Sequence, residues 1–395
     1  MSWSTVRADQ FCTLITDGTH DSPKPQQSGW KLITSKHLKG HYIDFDSANW
    51  ISEADYLKVI SRSAVEQWDI LFSMIGTIGN IYLEKNPHVE YACKNMGIFK
   101  FSGNKENALW MYYYLKSPQA KAYIQTHLRG STQAYVPLGG LREMPVPVPP
   151  QSVRNEIIAV LRPIDEKIEC NNAINDNLEQ QAQSYFQELF VDNADSEWTI
   201  GTISDLGTVV GGSTPSKAKP EYYTESGIAW ITPKDLSINK SKFVSHGEND
   251  ITELGLKNSS AAIMPEGTVL FSSRAPIGYI AIAAGEVTTN QGFKSVVPKP
   301  EIGTPFVYFF LKNTLTVIEG MASGSTFKEV SGSTMKNVPA VIPDAETLAK
   351  FSDFCAPIFA QQRILEEQNQ SLAKLRDSLL PKLMSGEIDV SAVQL

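Results

Sequence analysis

Cysteine is scarce in this chain of 395 residues: Cys12, Cys93, Cys170 and Cys355 lie far apart and form no Cys-x-x-Cys pair. This spacing argues against a disulfide framework and against a zinc site, and it indicates a reducing compartment. No apolar run approaches the roughly 18 residues that a membrane-spanning helix needs. Residues 1–4 (MSWS) lack the basic and apolar segments of a signal peptide. We therefore expect a cytoplasmic protein without a membrane segment.

Sequence motifs for catalysis are also missing. The chain has no G-x-x-x-x-G-K-[ST] phosphate loop, no Asn-Pro-Pro-aromatic methylase motif and no H-E-x-x-H metal helix. The Gly-rich segment 208–214 (TVVGGST) lacks the spacing of a nucleotide-binding fingerprint and is more typical of a turn. These absences predict that the chain is not an enzyme and holds no metal or cofactor of its own.

A long internal repeat organises the chain. Segments of residues 1–149 recur in the same order within residues 197–343, at offsets between 194 and 199. An ordered series of this kind indicates a tandem duplication, which constrains the fold more than any single motif does. The clearest matches are Ile33-Thr34-x-Lys36-x-Leu38 with Ile231-Thr232-x-Lys234-x-Leu236, Leu71-Phe72-Ser73 with Leu270-Phe271-Ser272, and Gly130-Ser131-Thr132 with Gly324-Ser325-Thr326.

Each copy has two parts that differ in amino-acid composition. The first parts contain short apolar runs broken by Gly, Pro, Ser and Asn; runs 69–73 (DILFS) and 268–272 (TVLFS) are typical of buried strands, and residues 108–116 of a helix. The second parts are nearly free of glycine and are typical of helices. The sequence therefore predicts an α+β protein with two mixed α/β modules, residues 1–149 and 197–343, each followed by a helical spacer, residues 150–196 and 344–395.

Both helical segments carry a heptad pattern. Steps of four and three residues make a narrow stripe that suits a partner helix, as in a coiled coil. Two such helices in one chain most simply pack on each other. The predicted seam positions are Ile157, Leu161, Ile164, Ile168, Asn171, Asn175, Leu178, Ala182, Tyr185 and Leu189, and, 194 residues later, Phe351, Cys355, Ile358, Gln362, Leu365, Asn369, Leu372, Arg376, Leu379 and Leu383.

Two pairs of equivalent residues interrupt these helical patterns. Pro163 and Pro357 each remove an amide donor, so we expect a short leading helix and then a long helix from about residue 164. Asn175 and Asn369 fall in the seam, where a buried Asn would fix register at a cost in stability. The alternative, that both face solvent, stays open at this point.

The charge is distributed unevenly over the four segments. The chain has a formal net charge of −8, of which the modules at 1–149 and 197–343 carry +2 and −1, and the spacers at 150–196 and 344–395 carry −6 and −3. The modules are near neutral, which leaves room for a locally basic face. The acidic helices are a plausible docking surface for another protein.

A duplicated mixed module followed each time by a heptad helix resembles the specificity (S) subunit of type I restriction-modification systems. The local matches are residues 15–23 (ITDGTHDSP), residues 379–388 (LLPKLMSGEI), and Leu-Phe-Ser followed closely by Ile-Gly in both modules. The resemblance covers essentially the whole chain, and the duplicated architecture carries it more than any short motif does.

The resemblance implies a function that the sequence does not state directly. The two modules would be target-recognition domains for the halves of a split site in double-stranded DNA, about one helical turn apart. The helices would form an antiparallel coiled coil that binds two modification (methyltransferase) subunits. S-adenosylmethionine would belong to those subunits, and ATP and Mg to restriction subunits. Because the two modules differ in sequence, the target should be asymmetric.

The loops after the opening strand of each module are the first candidates for DNA contact. Segments 17–20 (DGTH) and 212–215 (GSTP) place small residues where a phosphate could approach and donors where it could be held. An ordinary turn with a local side-chain hydrogen bond is the alternative. From these loops and the lysines after them, the predicted contacts are Thr19, His20, Ser22, Lys24, Thr214, Ser216, Lys217 and Lys219.

Other equivalent positions add further candidates. Arg and Lys side chains pair well with guanine, and Asn and Gln with adenine; Arg274 is the only arginine between residues 197 and 343. For the segments beginning at Arg129 and Gly324, a capped helix start is an equally good interpretation. The predicted contacts are Lys36, His37, Ser73, Thr77, Arg129, Ser131 and Gln133 in the first module, and Lys234, Ser273, Arg274, Ser325 and Lys328 in the second.

A coiled-coil adaptor whose twin modules bind proteins or glycans is the alternative function. The sequence names neither the target bases nor the length of the spacer between the half-sites, because base reading depends on side-chain geometry. It also does not say whether restriction subunits accompany the chain, or whether the free chain forms oligomers.

Overall fold

The computed structural model describes residues 3–40, 42–324 and 328–390. The chain divides into two compact units: unit 1 combines Met1–Glu169 with Gln370–Leu395, and unit 2 is Cys170–Asn369. Each unit contains one globular module together with a part of each long helix. The helices are therefore divided between the units, although the segment boundaries proposed from the sequence stay predictions.

Unit 1 contains three small sheets in its described residues. The central sheet has the strand order β2-β8-β5-β6 and is antiparallel throughout; a second sheet, β4-β3-β7, pairs β3 with β7 in parallel; β1 and β9 pair where the module begins and ends. The strands are β1 (Ser4–Arg7), β2 (Leu14–Asp17), β3 (Trp30–Ile33), β4 (Asn49–Ile51), β5 (Ile70–Ser73), β6 (Ile81–Leu83), β7 (Tyr91–Cys93), β8 (Met96–Lys100) and β9 (Pro145–Val148).

The helices of unit 1 begin at residues that satisfy free backbone amides. Ser52, Asn104 and Ser117 each accept a hydrogen bond from the backbone amide three residues later, which is the usual N-cap arrangement. The helix predicted at residues 108–116 is confirmed within the helix that Asn104 caps, Lys105–Lys116. The helical elements are α1 (Ala8–Phe11), a 3₁₀ turn (Ser35–His37), α2 (Glu53–Ser63), α3 (Lys105–Lys116), α4 (Pro118–Thr126) and α5 (Leu138–Glu143).

Unit 2 repeats this arrangement. The sheet β11-β19-β16-β17-β14 corresponds to β2-β8-β5-β6 with one added strand, β12-β15-β13-β18 corresponds to β4-β3-β7, and β10 pairs with β20 as β1 does with β9. Strand β13 again runs parallel to its partner β18. The strands are β10 (Thr199–Thr202), β11 (Gly207–Gly211), β12 (Tyr223–Thr224), β13 (Ile228–Ile231), β14 (Phe243–Val244), β15 (Asn249–Ile251), β16 (Val269–Phe271), β17 (Ile280–Ala283), β18 (Thr288–Thr289), β19 (Lys294–Pro298) and β20 (Pro339–Ile342).

The helices of unit 2 follow the same order as those of unit 1. Helices α10 and α11 stand where α3 and α4 do, and α10 buries an aromatic and aliphatic face of six residues in the core. The predicted buried strands at 69–73 and 268–272 are confirmed as β5 and β16, whose residues are all buried. The helical elements are α7 (Ile203–Leu206), a 3₁₀ turn (Pro220–Tyr222), α8 (Pro233–Ile238), α9 (Glu253–Lys257), α10 (Thr304–Asn313), α11 (Leu315–Gly320) and α12 (Gly332–Lys336).

Two long helices complete both units, and they run antiparallel to each other. Helix α6 spans Gln151–Gln187, with a π-helical turn at Glu188–Asp192, and α13 spans Ala345–Ser385. In unit 1, Arg376 of α13 donates to Asp165 of α6 (2.8 Å). In unit 2, Tyr185 lies 4.5 Å from Phe354 between ring centroids. Within unit 2, Asn171 of α6 contacts Asn369 of α13 and Tyr185 contacts Phe354, so residue numbers fall along α13 as they rise along α6, which makes the pair antiparallel.

The predicted seam is confirmed, because every seam position named above is buried or half-buried. The equivalent asparagines lie in it rather than in solvent. Asn369 donates to Asn172 (2.8 Å) and accepts from Asn171 (2.9 Å), and the backbone carbonyl of Asn175 accepts from Gln362 (3.2 Å). The contacts of Asn369 therefore link the two helices at a defined register within unit 2.

The expected break at Pro163 is wrong, and so is the one at Pro357. Both prolines lie inside continuous helices and are exposed. Proline removes one helical hydrogen bond, but Ile157 and Leu161 before it and Asp165 after it are all buried against the rest of unit 1. Packing on both sides thus holds the helical conformation where the local preference opposes it.

Candidate nucleic-acid interface

The loop after β2 is anchored to the turn that follows β7 in unit 1. The amide of Thr19 donates to the carbonyl of Cys93, and the amide of Lys94 donates to the carbonyl of Ile33, both at 2.9 Å. These bonds extend the parallel pairing of β3 and β7 beyond the strand ends. The loop, the turn and the start of the 3₁₀ segment therefore lie side by side.

Polar side chains fill this junction. His20 lies between two acceptors, with Nε2 2.8 Å from the carboxylate of Asp17 and Nδ1 2.9 Å from the amide oxygen of Asn95. Lys94 donates to Ser22, and Arg62 of α2 donates to the carbonyl of Gly18 (3.2 Å). Four of the predicted contacts belong to this region: Thr19 is half-buried, and His20, Ser22 and Lys24 are exposed.

Two further loops adjoin the same region. The Thr77 hydroxyl donates to the carbonyl of Ser35 (3.4 Å), and the amide of Val136 donates to the carbonyl of Met74 (2.9 Å). Residues 17–24, 34–37, 74–79, 94–95 and 129–135 thus form a connected surface, which we call loop face 1. The exposed predicted contacts that it also includes are Lys36, Thr77, Arg129, Ser131 and Gln133.

Two predictions on loop face 1 need correction. His37 is only 2% exposed, and its Nδ1 accepts from the backbone amide of Thr34 (2.9 Å), so it closes the 3₁₀ turn. Ser73 is fully buried and donates to the carbonyl of Ile75 (3.2 Å). Neither side chain is accessible to a duplex, because both are used by the turns that they stabilise.

Unit 2 builds the equivalent surface from equivalent bonds. The amide of Ser213 donates to the carbonyl of Thr289 (2.9 Å), the amide of Asn290 donates to the carbonyl of Ile231 (3.0 Å), and the hydroxyl of Thr214 contacts the side-chain oxygen of Gln291. Residues 212–219, 232–235, 273–274, 290–294, 323–324 and 328–330 form this surface, which we call loop face 2. Its exposed predicted contacts are Ser216, Lys217, Lys219, Lys234, Arg274 and Lys328.

A cleft of about 550 Å³ opens on loop face 2. Lys234 is paired there with Glu248 (2.5 Å), which raises the pKa of its ammonium group. Trp230 donates to the carbonyl of Ser213 (3.0 Å) and closes one wall. The cleft brings together three predicted contacts, Thr214, Lys217 and Lys234, with the polar side chains of Asn249, Asn290 and Gln291.

Arg274 is exposed, but it has an acidic partner. Its guanidinium lies 3.1 Å from the carboxylate of Glu329, which also lies 3.8 Å from Lys294. Burial lowers the pKa of Lys294 despite this carboxylate. Ser273 is fully buried and donates to the carbonyl of Gly292 (3.2 Å), so its predicted contact with DNA is also incorrect. Ser325 lies outside the described residues.

Comparison with known families explains the repeated surface. Residues 3–180 and 195–374 both match the family of type I restriction modification DNA specificity domains. The chain belongs to this family. The double match confirms the tandem duplication and assigns one specificity domain to each repeat.

Relatives of these specificity domains are known in archaea and bacteria. The chain is 40% identical to the type I restriction enzyme MjaIX specificity subunit of Methanocaldococcus jannaschii, over 47% of this chain and 45% of the relative. It thus matches about half the length of that protein. It is 22% identical to the HindI specificity subunit of Haemophilus influenzae over 86% of this chain and 90% of the relative.

A solved structure has the same fold as this specificity-domain chain. It is the S subunit of a type I restriction-modification system from M. genitalium, with a TM-score of 0.54 and 17% identity over 97% of this chain and 96% of that one. The observed fold, with two specificity domains and two long antiparallel helices, is thus a known arrangement.

The sequence reasoning missed several polar residues on both loop faces of the specificity domains. Lys94 and Asn95 follow β7, and Asn290 and Gln291 follow β18, strands of only three and two residues that no periodic pattern reveals. Lys294 lies at the start of β19. Both segments lie just before a buried strand, β8 or β19, and the register between the repeats changes there by one residue, so a repeat comparison does not align them directly.

The described residues contain no group of three or more His, Cys, Asp or Glu side chains that could hold a metal ion. Among the helices in that part of the chain, none is long and apolar enough to cross a membrane. The loop faces of the specificity domains carry hydroxyl, amide, ammonium and guanidinium groups, which can bind phosphates and base edges by hydrogen bonds and charge, together with carboxylates such as Asp21 and Glu329.

Proposed function

We propose that this chain is the DNA-reading subunit of a type I restriction-modification complex and that each loop face reads one half of a split target in double-stranded DNA. The observation that carries this proposal is the repetition of one polar loop surface on two specificity domains. Family membership supplies the DNA-specificity function. The division of the target into two half-sites follows from the duplication.

The half-sites should differ because the two loop faces present different side chains at equivalent places. Loop face 1 offers His20 and Arg129 where loop face 2 offers Thr214 and Ser323. Phosphate contacts position a protein on DNA, whereas contacts with base edges select the sequence. Different polar groups on a common framework therefore predict one asymmetric target rather than a palindrome.

Partner subunits would supply the chemistry. We propose two modification subunits that carry S-adenosylmethionine, and restriction subunits that use ATP and Mg, with a cytoplasmic location for the complex. Methylation of a base inside a duplex requires the base to be flipped into a pocket on the methyltransferase. The acidic helical segments, with −6 and −3 charges, are the proposed docking surface for these partners. Partners would also supply much of the phosphate contact that a chain of net charge −8 lacks.

The direct experiment is to express the chain with the modification subunit encoded in the same host and to map methylated adenines genome-wide. We expect co-purification of the two proteins and methylation at one asymmetric motif with two defined halves and a fixed spacer. Methylation at a continuous or palindromic motif would contradict the split-site proposal. Co-purification of other proteins or glycans, with no shift of any duplex, would instead favour the adaptor function.

A further inference from the structure

The most informative feature that the proposed function leaves unassigned is a pair of amide side chains, one on each loop face. Asn95 follows β7 and Gln291 follows β18. The backbone hydrogen bonds around the two residues are the same in both units. The last residue of the strand before the turn accepts from the loop that follows the opening strand, and the amide of the next residue donates to the neighbouring parallel strand. The turn is one residue longer in unit 2, and Gln291 is the residue that occupies the place of Asn95 beside that loop.

Each amide oxygen lies at hydrogen-bond distance from a side chain of the loop that follows the opening strand. The partner of Asn95 is His20 (2.9 Å), itself fixed by Asp17 (2.8 Å), and the partner of Gln291 is the hydroxyl of Thr214. These are hydrogen bonds of exposed groups, which contribute little to folding because water competes for them. They do restrict the rotamers of both amides before any ligand arrives, and a side chain ordered in advance loses less entropy on binding.

The surroundings of both amides suit a nucleic-acid backbone. Lys94 precedes Asn95 in the same turn, and Arg62 reaches the adjoining loop. Gln291 shares its cleft with Lys217 and Lys234. Cations placed around a fixed amide can hold the phosphates, and the amide can then approach the edge of a base.

We infer that Asn95 and Gln291 are specificity-determining residues, each reading one adenine in its own half-site through its primary amide. An amide has one acceptor oxygen and two donor hydrogens, which match the N6 amino group and N7 of adenine in the major groove. The oxygen held by His20 or Thr214 keeps a second lone pair for the adenine amino group. This inference rests on the proposed function and adds to it the residue that selects one base pair on each side.

The test uses the chain assembled with its modification subunits and a pool of duplexes randomised within both half-sites. Asn95 has a left-handed backbone conformation (φ 55°). Glycine adopts this conformation readily, so Asn95→Gly keeps the turn and removes the side-chain amide. We expect this variant to lose preference at one A·T pair of one half-site by roughly five- to 150-fold, with the other half-site unchanged. Gln291→Ala should do the same at one A·T pair of the opposite half-site.

The matched control is Gln119→Ala, which removes an exposed amide on α4 outside both loop faces and both long helices and should leave every position unchanged. Thermal unfolding of each variant should match that of the parent. A variant that folds and keeps the parental preference at all positions overturns the inference, as does a loss at G·C pairs only. If the unmodified complex itself selects no sequence from the pool, the proposed function fails instead.

Discussion

The ion cluster around Glu179 should decide how firmly the helix pair is held to the globular part of unit 2. The carboxylate of Glu179 on α6 accepts from Lys242 (2.7 Å) and Lys312 (2.5 Å), and also from Tyr308 (3.1 Å) and Gln362 (3.3 Å). Lys242 is only 7% exposed. One half-buried carboxylate therefore accepts from two ammonium groups and one hydroxyl of the globular part and from one amide of α13.

The pKa values of Glu179 and Lys242 show how burial and charge act in this cluster. Burial by itself would raise the pKa of Glu179, but Lys242 and Lys312 outweigh it and lower that pKa to about 2. Burial lowers the pKa of Lys242 to about 8, although Glu179 opposes this. The two partners differ mainly because the side chain of Lys242 is more deeply buried than that of Glu179; the second cation, Lys312, lowers the pKa of Lys242 a little further and also lowers that of Glu179.

The stability that depends on Glu179 follows from this shift. The unfolded pKa of this carboxyl is about 4.5, and its folded pKa is lower. Such a group contributes its full stabilisation of the native state at pH values above about 4.5. The difference between the folded and unfolded pKa of Glu179 corresponds to about 3 kcal/mol at neutral pH, lost progressively as the pH falls from about 4.5 to 2. Removal of one partner of a buried pair costs about 3–5 kcal/mol in other proteins, which agrees in size.

The perturbation is Glu179→Gln, which keeps the shape and removes the charge. Hydrogen exchange of α10 amides, followed by mass spectrometry of the whole chain, reports local opening of unit 2. We expect the variant to lower the opening free energy by about 3 kcal/mol at pH 7 and to match the parent near pH 2. Asp176→Asn, an exposed change on the same helix, is the control. A loss below about 1 kcal/mol at pH 7, or an unchanged acid dependence, would refute this account.

Three other changes test separate parts of the structure. Asp165→Asn leaves Lys116 and Arg376 without their buried carboxylate, so hydrogen exchange in unit 1 should show a loss of about 3 kcal/mol; protection equal to that of the parent would count against it. Lys217→Glu, at an exposed site on loop face 2, should weaken DNA binding by the assembled complex and reduce the salt slope by about one, whereas Lys299→Glu, at an exposed site outside both loop faces and both long helices, should not; equal effects would remove loop face 2 from the interface. Pro163→Ala restores a helical amide at an exposed position and should stabilise unit 1 by about 1–3 kcal/mol in chemical denaturation; a lower stability would mean that the helix depends on the proline.

Much of the architecture was predictable because it depends on patterns that survive without coordinates. The repeat offset fixed the equivalence of β5 with β16, and the four-three spacing identified seam residues from Ile157 to Leu383. The expected breaks at Pro163 and Pro357 were wrong since local preference was weighed without the packing on either side. Long-range burial outweighs a single missing hydrogen bond, and burial of this kind cannot be counted from the sequence.

The candidate site was only partly predictable for a related reason. Polarity and position in the repeat selected Thr19, Lys217 and Arg274, which lie accessible on the loop faces. The same criteria also selected His37 and Ser73, which are buried. Polar residues in a turn serve either the turn or a ligand, and the sequence pattern is the same in both cases. Asn95 and Gln291 were missed because their strands are too short to show a period.

The sequence by itself determined the duplication, the mixed α and β modules, the seam of the paired helices and the family, since each follows from periodicity or from residues in order along the chain. Only the tertiary structure decided which loops share a surface. It also decided which polar side chains stay exposed, and which charges are buried against the helices. Those properties arise from contacts between residues far apart in sequence, as when Asp165 pairs with Arg376, and no local pattern encodes such distances.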